Sequence, residues 1–319
     1  AKVLPSQTRA ELGIDSLGLV ELAIALEEKT GKPVSEDALS VTMTVDGVRQ
    51  ALLAAGTAGT APSGPRETWS AEPPLWPYTW GRGFRLLSLP IDLMYSRVAT
   101  RTVVLGGEHL ARLPGRTIFA GTHHGFADMP LLRRGLSQTA ARRYSNAMVI
   151  AATAAGWVKE PLWAWFGILA FGLFPLRQHQ EREVNLRRLL RAADAGNAIL
   201  VFPQGVHARP EQEIADAPQA RFHTGVTHLA RSLDAAVAPF GVAGTEKVLP
   251  AFLEGYRGPV IAGIPMSFTP GPLAIAFGLP MNPEKDEEVE AFTLRLQAAC
   301  FQLSRDAEAA IAAEWQRRA

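Results

Sequence analysis

His123 and Asp128, in the string Ala120-Gly121-Thr122-His123-His124-Gly125-Phe126-Ala127-Asp128, are the pair in this chain best suited to moving a proton. An imidazole titrates at about pH 6.5 in water, and a carboxylate on one ring nitrogen fixes its tautomer, leaving the other nitrogen to take a proton from a hydroxyl. A spacing of five lets one turn bring the two side chains together. Alone the spacing is weakly specific, and His123, His124, Asp128 and His207 can also be read as metal ligands, although no two histidines sit one helical turn apart to support that. Ser16 is the second candidate. It follows Asp15 at the start of an amphipathic helix marked by Leu17, Val20, Leu22, Ile24 and Leu26, where either Asp15 or Ser16 could simply cap the helix.

The elements that must position His123 and Asp128 are legible as apolar runs. TVVL, TIFAG, AILVFPQG and AAVAPFGVAG each end in glycine or a polar turn and alternate with helical stretches, which is the signature of an α/β core. TIFAG runs straight into the His-Asp segment. Residues Glu284 to Arg318 read as one or two helices with charges on one face. Residues 161–176, PLWAWFGILAFGLFPL, carry no charge; they are shorter than the roughly 20 residues a spanning helix needs and read as a core helix or a half-buried membrane dip. Trp76 to Val98 mixes bulky apolar residues with Arg82, Arg85 and Arg97, suiting a helix in a membrane interface or an ordinary docking helix.

Composition sets the outer bounds. The 319 residues are 47% hydrophobic and 20% charged, with a formal net charge of +1, which excludes a disordered chain and argues against a dedicated nucleic-acid binder. Residues 1–56 carry a net charge of −3 and residues 57–319 one of +4, so a small acidic unit precedes a larger basic one. Between them, the Gly-, Pro- and Ala-rich stretch over 57–75 reads as a flexible linker. Cys300 is the single cysteine, which rules out an internal disulfide and fits a reducing cytosolic setting. The chain begins with Ala1 and shows no signal peptide, and reads as part of something longer.

Two resemblances give these units an expected function. LGIDSLGLVELAIALEEKTGKPVSED resembles acyl carrier proteins throughout its length, which implies that Ser16 bears a 4′-phosphopantetheine arm. Only eleven residues precede Leu12, so the carrier over 1–56 is expected to be a truncated, small all-α segment. From Val104 to Asp128 the chain resembles the entry to the glycerolipid acyltransferase family of lysophosphatidic acid acyltransferases. Phe171 to Arg177 resembles the family's second block, Phe202-Pro203-Gln204-Gly205-Val206-His207 stands in the place of Phe-Pro-Glu-Gly-Thr-Arg, and Ala238-Pro239-Phe240 resembles the fourth. Phe222-His223-Thr224-Gly225 is similar to the Phe-Lys-x-Gly between the last two.

For residues 76–319 the resemblance implies an α/β domain, a mixed sheet flanked by helices. It implies His123 as general base, Asp128 as its orienting partner, and Arg177, Gln204, Gly205, His207 and Arg209 as binders of the acceptor or its phosphate. A fatty acyl group would pass from acyl-CoA or an acyl carrier protein to the hydroxyl of a lysophospholipid or related lipid, with no metal, at the cytoplasmic face of a membrane. An acyl-activating ligase upstream is an expected partner, and nucleic acid is not. Gln204, Val206 and His207 replace Glu, Thr and Arg, while Thr122 and Gly125 stand where Asn and Ser are usual. The alternative function is a catalytically weakened module that binds acyl lipid or membrane. HHGFAD also fits the HHxxxD of peptide-synthetase condensation domains, but those are much longer and carry glycine where Met129 stands here.

Overall fold

The computed structural model describes residue 46 and residues 99–153, 167–176, 182–214, 217–249, 260–261, 264–265 and 269–316. The chain divides into two units, Ala1–Pro74 and Leu75–Ala319. Ser16, the carrier-like helices, the linker, the Trp76 to Val98 segment and Arg177 lie outside the described residues.

Within the second unit, seven strands form one mixed sheet in the order β1-β9-β6-β2-β5-β3-β4. β1 is Ala99–Leu105, β2 Thr117–Gly121, β3 Met148–Thr153, β4 Leu173–Leu176, β5 Ala198–Val201, β6 Ala236–Ala243 and β9 Gly271–Phe277. β2 pairs in parallel with both β5 and β6, whereas β6 and β9 run antiparallel and β1 runs parallel to β9. β7 (Val260–Ile261) and β8 (Ile264–Pro265) form a separate two-stranded ribbon. The four apolar runs of the sequence fall on β1, β2, β5 and β6, and the structure adds β3, β4 and β9 to the main sheet.

Side-chain alternation splits the core into two layers, as the two-residue period of a strand requires. Ile118, Ile199 and Val237 face a cluster with Leu189, Ala230 and Phe292, contributed by α2 (Arg182–Asp194), α4 (Gly225–Leu233) and α6 (Val289–Gln316). Phe119, Leu200 and Phe240 face the other way, onto Leu131, Leu132 and Leu136 of α1 (Asp128–Ser137). Helices therefore cover both faces of the sheet. Both faces of β2 and β6 are buried along their whole length, which explains why these strands are continuous apolar runs rather than alternating ones.

α6 is a single helix of 28 residues, where the sequence allowed one or two. Polar groups tie it to its neighbours: the hydroxyls of Thr293 and Thr227 lie 2.6 Å apart, those of Ser304 and Thr122 2.9 Å apart, and Gln297 Oε1 accepts the Phe222 N–H at 2.8 Å. Each of these satisfies a group that would be costly to bury alone. The uncharged stretch 161–176 is not one helix: its described part is a π-helical turn, Gly167–Phe171, followed by strand β4. The left-handed Gly172 at φ 74° separates the two. No described helix is long and apolar enough to cross a membrane.

Candidate active site

β2 ends at Gly121 and α1 begins at Asp128, so the His-Asp segment is the turn leaving the carboxyl end of a central strand. His123 Nδ1 donates to Asp128 Oδ2 at 2.8 Å. The same oxygen accepts the backbone N–H groups of His124 at 2.7 Å and Gly125 at 3.0 Å, and Asp128 is fully buried. Burial by itself would raise the carboxyl's pKa. The hydrogen bond and charge of His123, the charge of His124 and a smaller contribution from the Thr245 hydroxyl reverse that and hold it below the ordinary 3.8. An ionised Asp128 only accepts, so the His123 proton sits on Nδ1 and Nε2 keeps its lone pair.

The turn is tight because Gly125 has no side chain. A Cβ there would lie 2.8 Å from the Leu249 carbonyl oxygen and 3.0 Å from that of Thr245. The neighbouring Phe126 N–H donates to the Leu249 oxygen at 3.1 Å. A serine in place of Gly125 would have no room in this backbone.

The loop after β5 holds His123 from four directions. Gln204 Oε1 accepts the His123 N–H at 2.8 Å, and the Ala208 N–H donates to the His123 carbonyl at 2.8 Å. The Phe202 ring stacks on the imidazole with centroids 3.9 Å apart, and the His207 ring lies at 3.7 Å. The side chain keeps 20% of its surface exposed. Backbone anchoring and ring packing fix the imidazole while leaving it open to a substrate, and an aromatic face favours the imidazolium that forms when a proton is taken.

Gln204 and His207, both expected at the acceptor, each contact His123. Gln204 is buried, with its amide nitrogen donating to Glu213 Oε1 at 2.9 Å, so its polar groups are committed to the interior. His207 is not a cation: burial, then the neighbouring His123, push its pKa down to about 3. Its ring serves as packing against His123. Gly205, at φ 71°, and Arg209 are exposed. Among the described residues no cluster of three or more histidine, cysteine, aspartate or glutamate side chains could hold a metal ion.

Sequence reasoning did not single out Phe202 as a ring partner, nor Glu213 and His124 as a pair. His124 Nε2 donates to Glu213 Oε1 at 2.8 Å, with both side chains out of solvent. Burial alone would lower the His124 pKa, but the hydrogen bond and charge of Glu213, with Asp128 and Glu246 adding charge, push it up to about 8. The folded value exceeds the ordinary 6.5, so the pair's stabilisation is complete below pH 6.5 and lost as pH rises through about 8. That difference corresponds to about 2 kcal/mol. His207 acts in the opposite sense, because below pH 6.5 the unfolded chain takes up a proton that the folded ring refuses. Stability by urea denaturation is therefore expected to peak near pH 6.5, and Glu213→Gln to flatten the alkaline side.

Residues 101–243 match the family model described as Acyltransferase, and residues 3–52 match the one for a phosphopantetheine attachment site. No curated protein sequence matches the chain. A similar solved structure is the crystal structure of the 1-acyl-sn-glycerophosphate (LPA) acyltransferase, PlsC, from Thermotoga maritima. It is 18% identical, with a TM-score of 0.46 over 72% of this chain and 78% of that one.

Proposed function

We propose that the chain transfers a fatty acyl group from a thioester to the hydroxyl of a lysolipid, because residues 101–243 match the acyltransferase family model and residues 3–52 the one for a phosphopantetheine attachment site. The observation that carries this reading is His123, oriented by a buried carboxylate through Nδ1, with the ring itself still partly exposed.

In the proposed reaction, His123 Nε2 takes the proton of the acceptor hydroxyl as its oxygen attacks the thioester carbonyl. The carbon–oxygen bond forms, the carbon–sulfur bond breaks, and the proton passes from the imidazolium to the leaving thiolate. No acyl-enzyme forms. Asp128, buried and anionic, stabilises the transient imidazolium and prevents the ring from turning. Asp128 stays ionised throughout.

The donor is acyl-CoA or an acyl carrier protein, and in this reading Ser16 is the attachment point for phosphopantetheine. An acyl group delivered from within the chain would gain an effective concentration in about the millimolar range. With Gln204 and His207 turned inward, recognition of an anionic head group falls to Arg177 and Arg209, with the open backbone at Gly205. Arginine suits this because its fork can take two oxygens at once. An acyl-activating ligase as an upstream partner, and action at a membrane surface in phospholipid synthesis, complete the proposal.

The test is transfer from a labelled long-chain acyl-CoA to a panel of lysolipids with phosphate-bearing and neutral heads. Labelled ester is expected with at least one acceptor. Absence of ester with every acceptor, from acyl-CoA and from loaded carrier alike, would overturn the reading in favour of a module that only binds acyl lipid.

A further inference from the structure

Glu213 lies on α3, a five-residue helix spanning Pro210–Ile214, nine positions beyond Gln204 and outside every motif of the sequence. Its Oε1 accepts from two donors at once: Gln204 Nε2 at 2.9 Å and His124 Nε2 at 2.8 Å. These donors are the supports on either side of His123. Gln204 holds the His123 N–H through its other end, and His124 is the next residue, whose own N–H is fixed on Asp128 Oδ2. Gln204 also reaches the Ala220 carbonyl at 3.4 Å, a longer contact that cannot substitute for the carboxylate. One oxygen atom thus closes a ring of hydrogen bonds: Glu213 to Gln204, to the His123 backbone, to His124, and back.

We infer that Glu213 is a positioning residue for the acyl transfer, acting through Gln204 and His124 to set the backbone from which the His123 imidazole projects. The inference rests on the function proposed above. The sequence departs from its family resemblance by having an amide at position 204. The structure supplies a carboxylate from position 213 immediately behind that amide. An amide is needed at 204 because the side chain must accept from a backbone N–H at one end and donate to a carboxylate at the other, which a glutamate cannot do when ionised. A misplacement of about 1 Å in a general base costs on the order of a hundredfold in rate, so a ring that fixes the backbone on both sides of His123 has a direct kinetic consequence.

The variants Glu213→Leu, Glu213→Gln, Gln204→Leu and the double Glu213→Leu/Gln204→Leu test this in the full chain. Glutamine at 213 retains an oxygen that can accept from both partners, whereas leucine cannot. With folded protein measured by thermal melting, Glu213→Leu is expected to lower kcat about ten- to a hundredfold with KM for the acceptor nearly unchanged. Glu213→Gln should stay within about threefold of the wild type, and the double variant should be no slower than the worse single one, because both changes cut the same chain of bonds. A second readout needs no turnover: hydrogen exchange of the His123 amide should speed up in Glu213→Leu and remain slow in Glu213→Gln.

A folded Glu213→Leu with wild-type kcat and a protected His123 amide overturns the inference, as do losses that multiply in the double variant. If the wild type forms no ester, the proposed function fails. Amide exchange then still decides whether Glu213 positions His123.

Discussion

Replacing His123 by alanine is expected to lower kcat/KM for acyl transfer by about a hundred- to ten-thousandfold, the range that a positioned general base supplies. That corresponds to about 3–5 kcal/mol of transition-state stabilisation. The loss follows from geometry. The imidazole is a part-exposed ring whose Nδ1 is bound to Asp128 and which packs against the rings of Phe202 and His207. Its backbone bonds to Gln204 and Ala208 do not depend on the side chain, so the variant should fold, and thermal melting of the purified protein checks that it does. A kcat/KM within a few-fold of the wild type would remove His123 from the chemistry.

Asp128→Asn is expected to cost nearly as much, about a hundred- to ten-thousandfold in kcat, for a different reason. Three donors converge on Asp128 Oδ2: the His123 ring and the N–H groups of His124 and Gly125. An asparagine can turn its carbonyl oxygen towards them, so the turn survives. What it cannot supply is the negative charge opposite the developing imidazolium, nor can it enforce the Nδ1–H tautomer as an ionised carboxylate does. The loss should therefore appear in kcat more than in KM, with urea denaturation showing a turn that still forms. Equal rates for the wild type and Asp128→Asn would mean that the buried carboxylate only shapes the turn.

The pair that these variants test was legible in the sequence because it needs only a strand, a turn and a helix start, and TIFAG followed by a polar, glycine-containing segment announces all three. β6 was legible for a related reason: a strand buried on both faces has no alternation to disguise it. β9, GPLAIAF, was harder, because glycine, proline and two alanines have little strand preference of their own. It is made a strand by its neighbours β1 and β6. β4 was hidden inside an uncharged run whose residues fit a helix equally well.

The interior of the site was not legible, for physical reasons tied to particular residues. Gln204 read as an acceptor contact because a motif says which residue is present and not which way its amide turns. Its orientation is set by the His123 N–H on one side and by Glu213 on the other. His207 read as a binder of the acceptor or its phosphate, yet burial, with the neighbouring His123, holds its pKa down, and no spacing rule encodes burial. Glu213 sits in Pro-Glu-Gln-Glu-Ile, a segment that reads as an ordinary polar helix turn, and only the folded chain shows which of its acidic residues points inward.

In the proposed reaction, acyl transfer runs directly from thioester to acceptor with His123 as the base. It is tested most directly by following free thiol and product ester together, on the timescale of a single turnover, after mixing the full chain with acyl-CoA and its preferred lysolipid. His123→Ala is run in parallel. Thiol and ester are expected to rise at the same rate from zero in the wild type, and neither to rise appreciably in the variant. A burst of thiol ahead of ester, marking an acyl-enzyme, or undiminished ester from His123→Ala would contradict it.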